Sequence, residues 1–289
     1  MCNIHKKMLM LPGTLAAVLL TPLQIGAQAD SSAFALAQKQ ISAYLTQLAD
    51  VHCTEKVTQE RLAADGHVEA TEREQYDYLI MIGGNEDDFQ LSESRIESPG
   101  WRHKQLTMPM MVTNGMATIL LVFHPYYRES FDFETQPEEM VDGRPAVPIR
   151  FTQIRGRRSP AALALRGREY PLELQGTAWL DKSSGGVLKA DASLLHEMDD
   201  VRLRSLDIHV EYKPIQLRSE APPIMMPALV VVNVTTPRQH WRNTHFFGNY
   251  RSFSADAEQD PKVKIHADNE KPDDSPATAS PIATTKEKP

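Results

Sequence analysis

Cysteine is almost missing from this 289-residue chain: Cys2 and Cys53 are the only two. Cys2 precedes the N-terminal apolar run, so it cannot be the lipid-bearing cysteine that follows such a run in a bacterial lipoprotein. A mature chain holding Cys53 alone has no internal disulfide, and its fold must rest on its core. In its strand-like stretch Cys53 reads as a buried, inert residue rather than a reactive thiol. Catalytic signatures are also missing. No G-x-S-x-G elbow occurs, and Ser183-Ser184-Gly185-Gly186 is accounted for by turn chemistry. The ten histidines include no H-E-x-x-H or C-x-x-C context. His240 and His245 lie five apart and so point to opposite sides of a strand. A grouping of His209 with His196 and Glu197 would require folding to bring them together. The acid pairs Asp87-Asp88, Glu138-Glu139 and Asp199-Asp200 fall in loop-like surroundings, where solvated carboxylates are the better account. No catalytic residue, metal site or cofactor is expected.

A long apolar run is lacking too. Met8 to Leu20 is apolar but interrupted by Pro12 and Gly13, and Pro22 and Gln24 follow. About 20 continuous apolar residues are needed to cross a bilayer. With Lys6 and Lys7 before the run and Ala27-Gln28-Ala29 after it, the segment 1–29 reads as a secretory signal peptide. The expected location is therefore periplasmic or extracellular, with no transmembrane anchor after cleavage. The chain has 31 basic and 38 acidic residues, and the leader removes two lysines and no acid. An exported acidic chain disfavours nucleic acid as a partner. The segment 255–289 has no aromatic residue and is punctuated by prolines, which marks an acidic, disordered tail. Residues 30–254 are left as one domain.

Within that domain Phe34, Ala37, Ile41, Tyr44, Leu45 and Leu48 recur at helical spacing, so an amphipathic helix opens the mature chain. Residues 108–123 are apolar on every side. Pro109 favours a helix start and Ile119 to Phe123 favours extended chain; the expectation is a short helix over 109–120. Most of what remains reads as strands joined by polar turns, an antiparallel meander. In the hairpin of residues 170–182 and 186–195, Tyr170, Leu172, Leu174, Gly176, Ala178 and Leu180 share one face with Leu188, Ala190, Ala192 and Leu194. Glu173, Gln175, Thr177, Lys189 and Asp191 occupy the other, so the hairpin is wet on one side. Leu206, Ile208, Val210 and Tyr212 repeat the pattern, as do Tyr76, Tyr78, Ile80 and Ile82. In "RQHWRNTHFFGNYRSF" the aromatics are expected to pack inward, with the basic residues outside.

The leading helix, long meander, internal apolar helix and "AWLDKSSGG" hairpin together resemble the periplasmic lipoprotein-carrier superfamily, the LolA/LolB-like half-barrels. Within it the chain looks like uncharacterised secreted bacterial members with a "HWRN" stretch near the end. The resemblance covers roughly residues 33–253. It implies a mainly β, α+β fold: a curved antiparallel sheet or incomplete barrel with both helices packed against it, enclosing an apolar cavity that takes acyl chains. The side chains expected to line that face are Tyr76, Tyr78, Ile80, Leu172, Leu174, Leu188, Leu206, Ile208 and Val210. The methionine pairs Met110-Met111 and Met225-Met226 suit either a lipid cavity or core filling.

The segment 150–169 inverts the chain's sign. Arg150, Arg155, Arg157, Arg158, Arg166 and Arg168 face the single acid Glu169, a composition suited to docking an anionic head group, an anionic glycan or an acidic partner. The expected function is an exported, non-catalytic protein holding a lipid or other hydrophobic ligand. The alternatives are an envelope interaction protein with a filled core, or a hydrolase of unknown type.

Overall fold

The computed structural model describes residues 31–48, 51–84, 89–97, 119–165, 168–217 and 223–253. The expected signal peptide, the tail and the helix expected over 109–120, up to residue 118, lie outside the described residues.

The chain opens with α1 (Ser31–Leu48) and continues into three long strands, β1 (Val51–Leu62), β2 (Val68–Gly84) and β3 (Phe89–Glu97). A 3₁₀ turn at Leu120–Phe123 and the one-turn helix α2 (Pro125–Arg128) precede β4 (Phe131–Thr135), β5 (Glu139–Val141) and β6 (Arg144–Gln153). There follow β7 (Ala162–Leu165), β8 (Arg168–Pro171), β9 (Leu174–Asp181), β10 (Val187–Leu194), β11 (Ser205–Ile215), β12 (Ile224–Thr235) and β13 (His240–Ser252). Eleven strands form one antiparallel sheet in the order β3-β2-β1-β13-β12-β11-β10-β9-β6-β4, with β5 also on β6; β7 and β8 pair separately. The expected mainly β architecture is what forms. The sheet is open, ending at β3 on one side and β4 on the other. The first and last strands of the domain lie side by side within it, since β1 pairs with β13 from Val51↔Ser252 to Leu62↔His240.

Alternation decides the two faces. In β9 Leu174, Ala178 and Leu180 are buried while Gln175 is exposed, and β10 answers with Ala190 and Ala192. Gly176 belongs to the inner row. A Cβ there would lie 2.1 Å from the Asp191 carbonyl oxygen and 2.6 Å from the Phe151 ring, so the Phe151 ring occupies the space a side chain would need. At the β9–β10 turn the buried Asp181 replaces missing backbone partners. Its Oδ1 accepts the N–H groups of Ser183 at 3.0 Å and Ser184 at 2.8 Å and both serine hydroxyls, while Oδ2 pairs with Arg144 at 2.9 Å. Gly185 closes this turn at φ 72°, and Leu36 of α1 sits against it, 2.7 Å from where a Cβ would stand. The turn thus receives the helix as well as reversing the chain.

Of the stripe expected from its spacing, α1 buries Phe34, Ala37, Ile41, Tyr44 and Leu45; the Leu48 side chain lies outside what is described. Beside it Ile119 to Phe123 are wholly buried. Leu120–Phe123 form a 3₁₀ turn where the apolar run favours extended chain. Burial on every side removes the one-sided pattern that separates the two conformations. His124 then caps α2, its Nδ1 accepting the Tyr126 N–H at 3.2 Å, with Pro125 at the first helical position.

Candidate functional site: the inner face of the sheet

One apolar cluster joins α1, the 3₁₀ turn and the inner rows of β1, β2, β6 and β9–β13. Of the side chains expected on this face, Tyr78, Ile80, Leu172, Leu174, Leu206 and Val210 belong to it, and Ile208 packs against it half-buried. Two do not. A register shift between Val187 and Lys189 adds a residue to β10, so Val187 takes the inner position and Leu188 turns outward. Leu188 instead packs with Val141, Ala146, Trp179 and Met225 in a second, small cluster. Tyr76 shares the inner row but stands half-buried beyond the apolar cluster, its hydroxyl donating to Glu74.

Tyr76 marks the point at which the inner face becomes polar. Glu55, on the inward register between Cys53 and Val57, is completely buried opposite Tyr76. Arg95 reaches it from β3 across β2, donating from Nε at 2.5 Å and from a second guanidinium nitrogen at 2.8 Å. On the way its guanidinium passes over the rings of Tyr78 and Tyr76, 5.5 and 6.0 Å from their centroids. From β13 the His245 Nδ1 lies 2.8 Å from Glu55 Oε1, the oxygen that the second Arg95 nitrogen also contacts. Burial by itself would raise the Glu55 pKa; the bonds from Arg95 and then His245 outweigh it and hold the carboxyl below its usual value. Gln59 and Asn243, paired across β1 and β13 two inward positions beyond Glu55, are buried as well.

Near α1 the inner face holds Cys53, Tyr44 and Tyr212. The hydroxyls of Tyr44 and Tyr212 are buried with no hydrogen-bond partner among the described residues, and burial raises both their pKa values. Burial, then the nearby Glu55 charge, pushes the Cys53 thiol up to about 12. Such a thiol is no nucleophile at neutral pH.

The outer face carries a shallow depression of about 370 Å³, floored by the sheet backbone at Gly176 and Ala192 and edged by Trp179, Asp191, Asp207 and His209. His209 Nδ1 lies 2.5 Å from Asp191 and its Nε2 3.5 Å from Glu211, so it joins these acids rather than Glu197, which pairs with Arg204. Among the described residues no group of histidine, cysteine and carboxylates has metal-binding geometry. Glu138 pairs with Lys182 at 2.6 Å, Glu139 accepts the Trp179 indole N–H, and Asp199 pairs with Arg204 at 3.2 Å. Asp87 and Asp88 lie outside the described residues.

The arginine segment divides. Arg150 projects from β6 beside Glu134, 3.6 Å away, and Arg168 stands on β8, while Arg166 lies outside the described residues. Arg155, Arg157 and Arg158 share the exposed loop after β6. In β13 Trp241 and Phe247 pack inward as expected, but Phe246, and Phe253 just past the strand, are exposed, 52% and 48% respectively. The last of these stacks on His52 on the outer side.

No protein-family model matches the chain, and no curated protein matches it in sequence. Solved structures do resemble it. The chain is similar to LolA superfamily proteins. A DUF1329 family protein from Desulfovibrio piger shares 12% identity over 80% of this chain and 97% of its own, at a TM-score of 0.44. For a LolA superfamily protein from Nitrosomonas europaea the identity is 12%, the coverage 77% and 92%, and the TM-score 0.35. A domain assigned to outer-membrane lipoprotein sorting in Vibrio parahaemolyticus gives 10%, 75% and 93%, and 0.36. No helix of the described residues is long and apolar enough to cross a membrane.

Proposed function

We propose that this chain is an exported, non-catalytic binding protein that holds a lipid or other hydrophobic ligand against the inner face of its sheet. One observation carries the reading: a single apolar surface runs across the inner rows of an open sheet, covered by a helix and a 3₁₀ turn. A predominantly apolar lining is the usual construction of a small-molecule site. Tyr78, Ile80, Leu174, Leu206, Ile208 and Val210 are the contacts we assign to the ligand. The nucleophile candidates have other roles, since the Ser183 and Ser184 hydroxyls bond Asp181 and the Cys53 thiol is held protonated. Native mass spectrometry of protein purified from its host should show a co-purifying hydrophobic ligand, and a fluorescent fatty-acyl probe should bind. Failure of both abandons carriage.

The second reading is an envelope interaction protein with a filled core. What favours it is the packing of Phe34, Ile41, Tyr44, Leu45 and Phe123 into the same inner face. Crosslinking in the envelope separates the two: partner adducts through residues 150–169, with no ligand bound, select the second.

A further inference from the structure

The inner face is aromatic where it meets solvent beside α2. Phe34 packs on Phe133 and Phe123, with centroids 4.7 and 6.2 Å away, and Phe89 of β3 packs on Tyr126 at 6.2 Å. Two guanidiniums cap these rings: Arg128 over Phe34 at 5.6 Å and Arg158 over Tyr126 at 3.8 Å. The loop carrying Arg155, Arg157 and Arg158 is tied to the same rim, because the Ile154 N–H donates to the Ser130 carbonyl at 2.8 Å. All four arginines are exposed, and among the described residues none of them is in an ion pair. Of the neighbouring acids, Glu173 accepts the Gly156 N–H at 3.0 Å, and Glu129 and Asp132 are exposed. The whole chain carries a formal charge of −7, so this rim is a local reversal of sign.

We propose that the rim formed by Arg128, Arg155, Arg157 and Arg158 around Tyr126 docks on an anionic phospholipid surface. Guanidinium matches phosphate bidentately, and aromatic rings beside cations suit the level of the head groups. The choice of lipid over an acidic protein comes from what lies beneath the charges. Arg128 and Arg158 rest on rings that continue inward to the apolar face, and an anionic layer laid over hydrocarbon matches both the charge and the rings; an acidic protein matches only the charge. The docking extends the carrier reading, on which it rests for its purpose, by placing the membrane against the rim through which a lipid reaches the inner face.

Full-length protein with its leader processed is mixed with vesicles of phosphatidylglycerol and phosphatidylethanolamine, or of phosphatidylcholine alone, and the bound fraction is read by flotation. Binding to the anionic vesicles should exceed that to the neutral ones and weaken with salt. Each arginine near the surface is worth roughly fivefold in partitioning. Arg155→Gln with Arg157→Gln, which spares the two ring contacts, should therefore weaken binding by more than tenfold, and adding Arg128→Gln and Arg158→Gln should abolish it. Unchanged binding by a folded quadruple variant, indifference to lipid charge, or no vesicle binding at all overturns the proposal. Capture of an acidic protein through the same arginines, with vesicles ignored, overturns it in favour of a protein partner. Uptake of the acyl probe in vesicle-free solution reports on the inner face alone. A protein that docks through the arginines yet takes up no probe keeps this surface and loses the carrier.

Discussion

Replacing Arg95 by methionine removes two charge-assisted bonds to a carboxylate that has no access to water, at nearly constant side-chain volume. Glu55 is 0% exposed and the Arg95 side chain 16%, so solvent does not take over the lost contact. Breaking a buried pair by deleting one partner costs about 3–5 kcal/mol, a large share of the roughly 5–15 kcal/mol that holds a domain folded. The pH dependence should also reverse. In the unaltered protein the Glu55 pKa is lowered on folding. Its contribution is therefore present above the unfolded value of about 4.3 and lost as pH falls through the folded value. Without Arg95 only His245 opposes the burial penalty, which is the largest contribution, so the folded pKa should rise above the unfolded one and protonation on acidification should relieve the variant. Guanidinium unfolding at pH 7.5 and pH 5 should show the deficit of Arg95→Met shrinking at the lower pH. Glu55→Gln combined with Arg95→Met should recover part of the loss, because no charge is left buried. A deficit under about 1 kcal/mol at pH 7.5, as for an exposed pair, refutes the reasoning, as does one that grows on acidification.

Three further outcomes follow from the same geometry. Gly176→Ala should destabilise by about 1–3 kcal/mol or more, since the added methyl meets the Asp191 carbonyl oxygen and Phe151; a thermal melt unchanged from the parent would show that strand β9 shifts freely. Asp181→Ala should cost about 1–3 kcal/mol. The Asp181 pKa is lowered on folding, its desolvation outweighed by the two serines and Arg144, so the deficit should fade as pH drops through the folded value; denaturant curves across that range check it. Cys53, with its thiol pushed to about 12, should react with an aromatic disulfide reagent at pH 8 only as fast as the chain unfolds, and a fast stoichiometric reaction would place it at the surface.

Much of the sheet was legible because period-two alternation is a local property. The β9–β10 hairpin from Leu174 onward, β11 and the stripe on α1 could be read from single stretches, whereas Tyr170, expected at the start of the same strand, belongs to β8 in the separate β7–β8 pair. What failed was what depends on an inserted residue or a distant partner. Leu188 alternates correctly with Ala190 along the chain, yet the shift at Val187 and Lys189 reverses it, and no residue type there announces the bulge. The Glu55 cluster joins residues 40 and 190 positions apart, beyond any window of pattern reading. One signal was present, a glutamate in an apolar register between Cys53 and Val57. His245 shows the same thing from the other side, since its inward register on β13 alternates with Trp241 and Phe247.

The inner face is held by two kinds of contact that respond differently to an incoming ligand. Over α1 and the 3₁₀ turn the contacts are apolar and non-directional, so another apolar occupant can replace them at small net cost. At the β3 edge they are directional: Arg95 fits Glu55 bidentately and crosses the Tyr76 and Tyr78 rings to do so. A hydrocarbon offers that carboxylate nothing in exchange, and separating the pair would leave Glu55 buried with only its contact to His245. Under the carrier reading, widening therefore occurs where α1 lies on the sheet, while β3 stays clamped to β1 and β13. Loosening the clamp through Arg95→Met should reduce stability more than it changes acyl-probe affinity, whereas trimming Ile41 on α1 to alanine should alter that affinity directly.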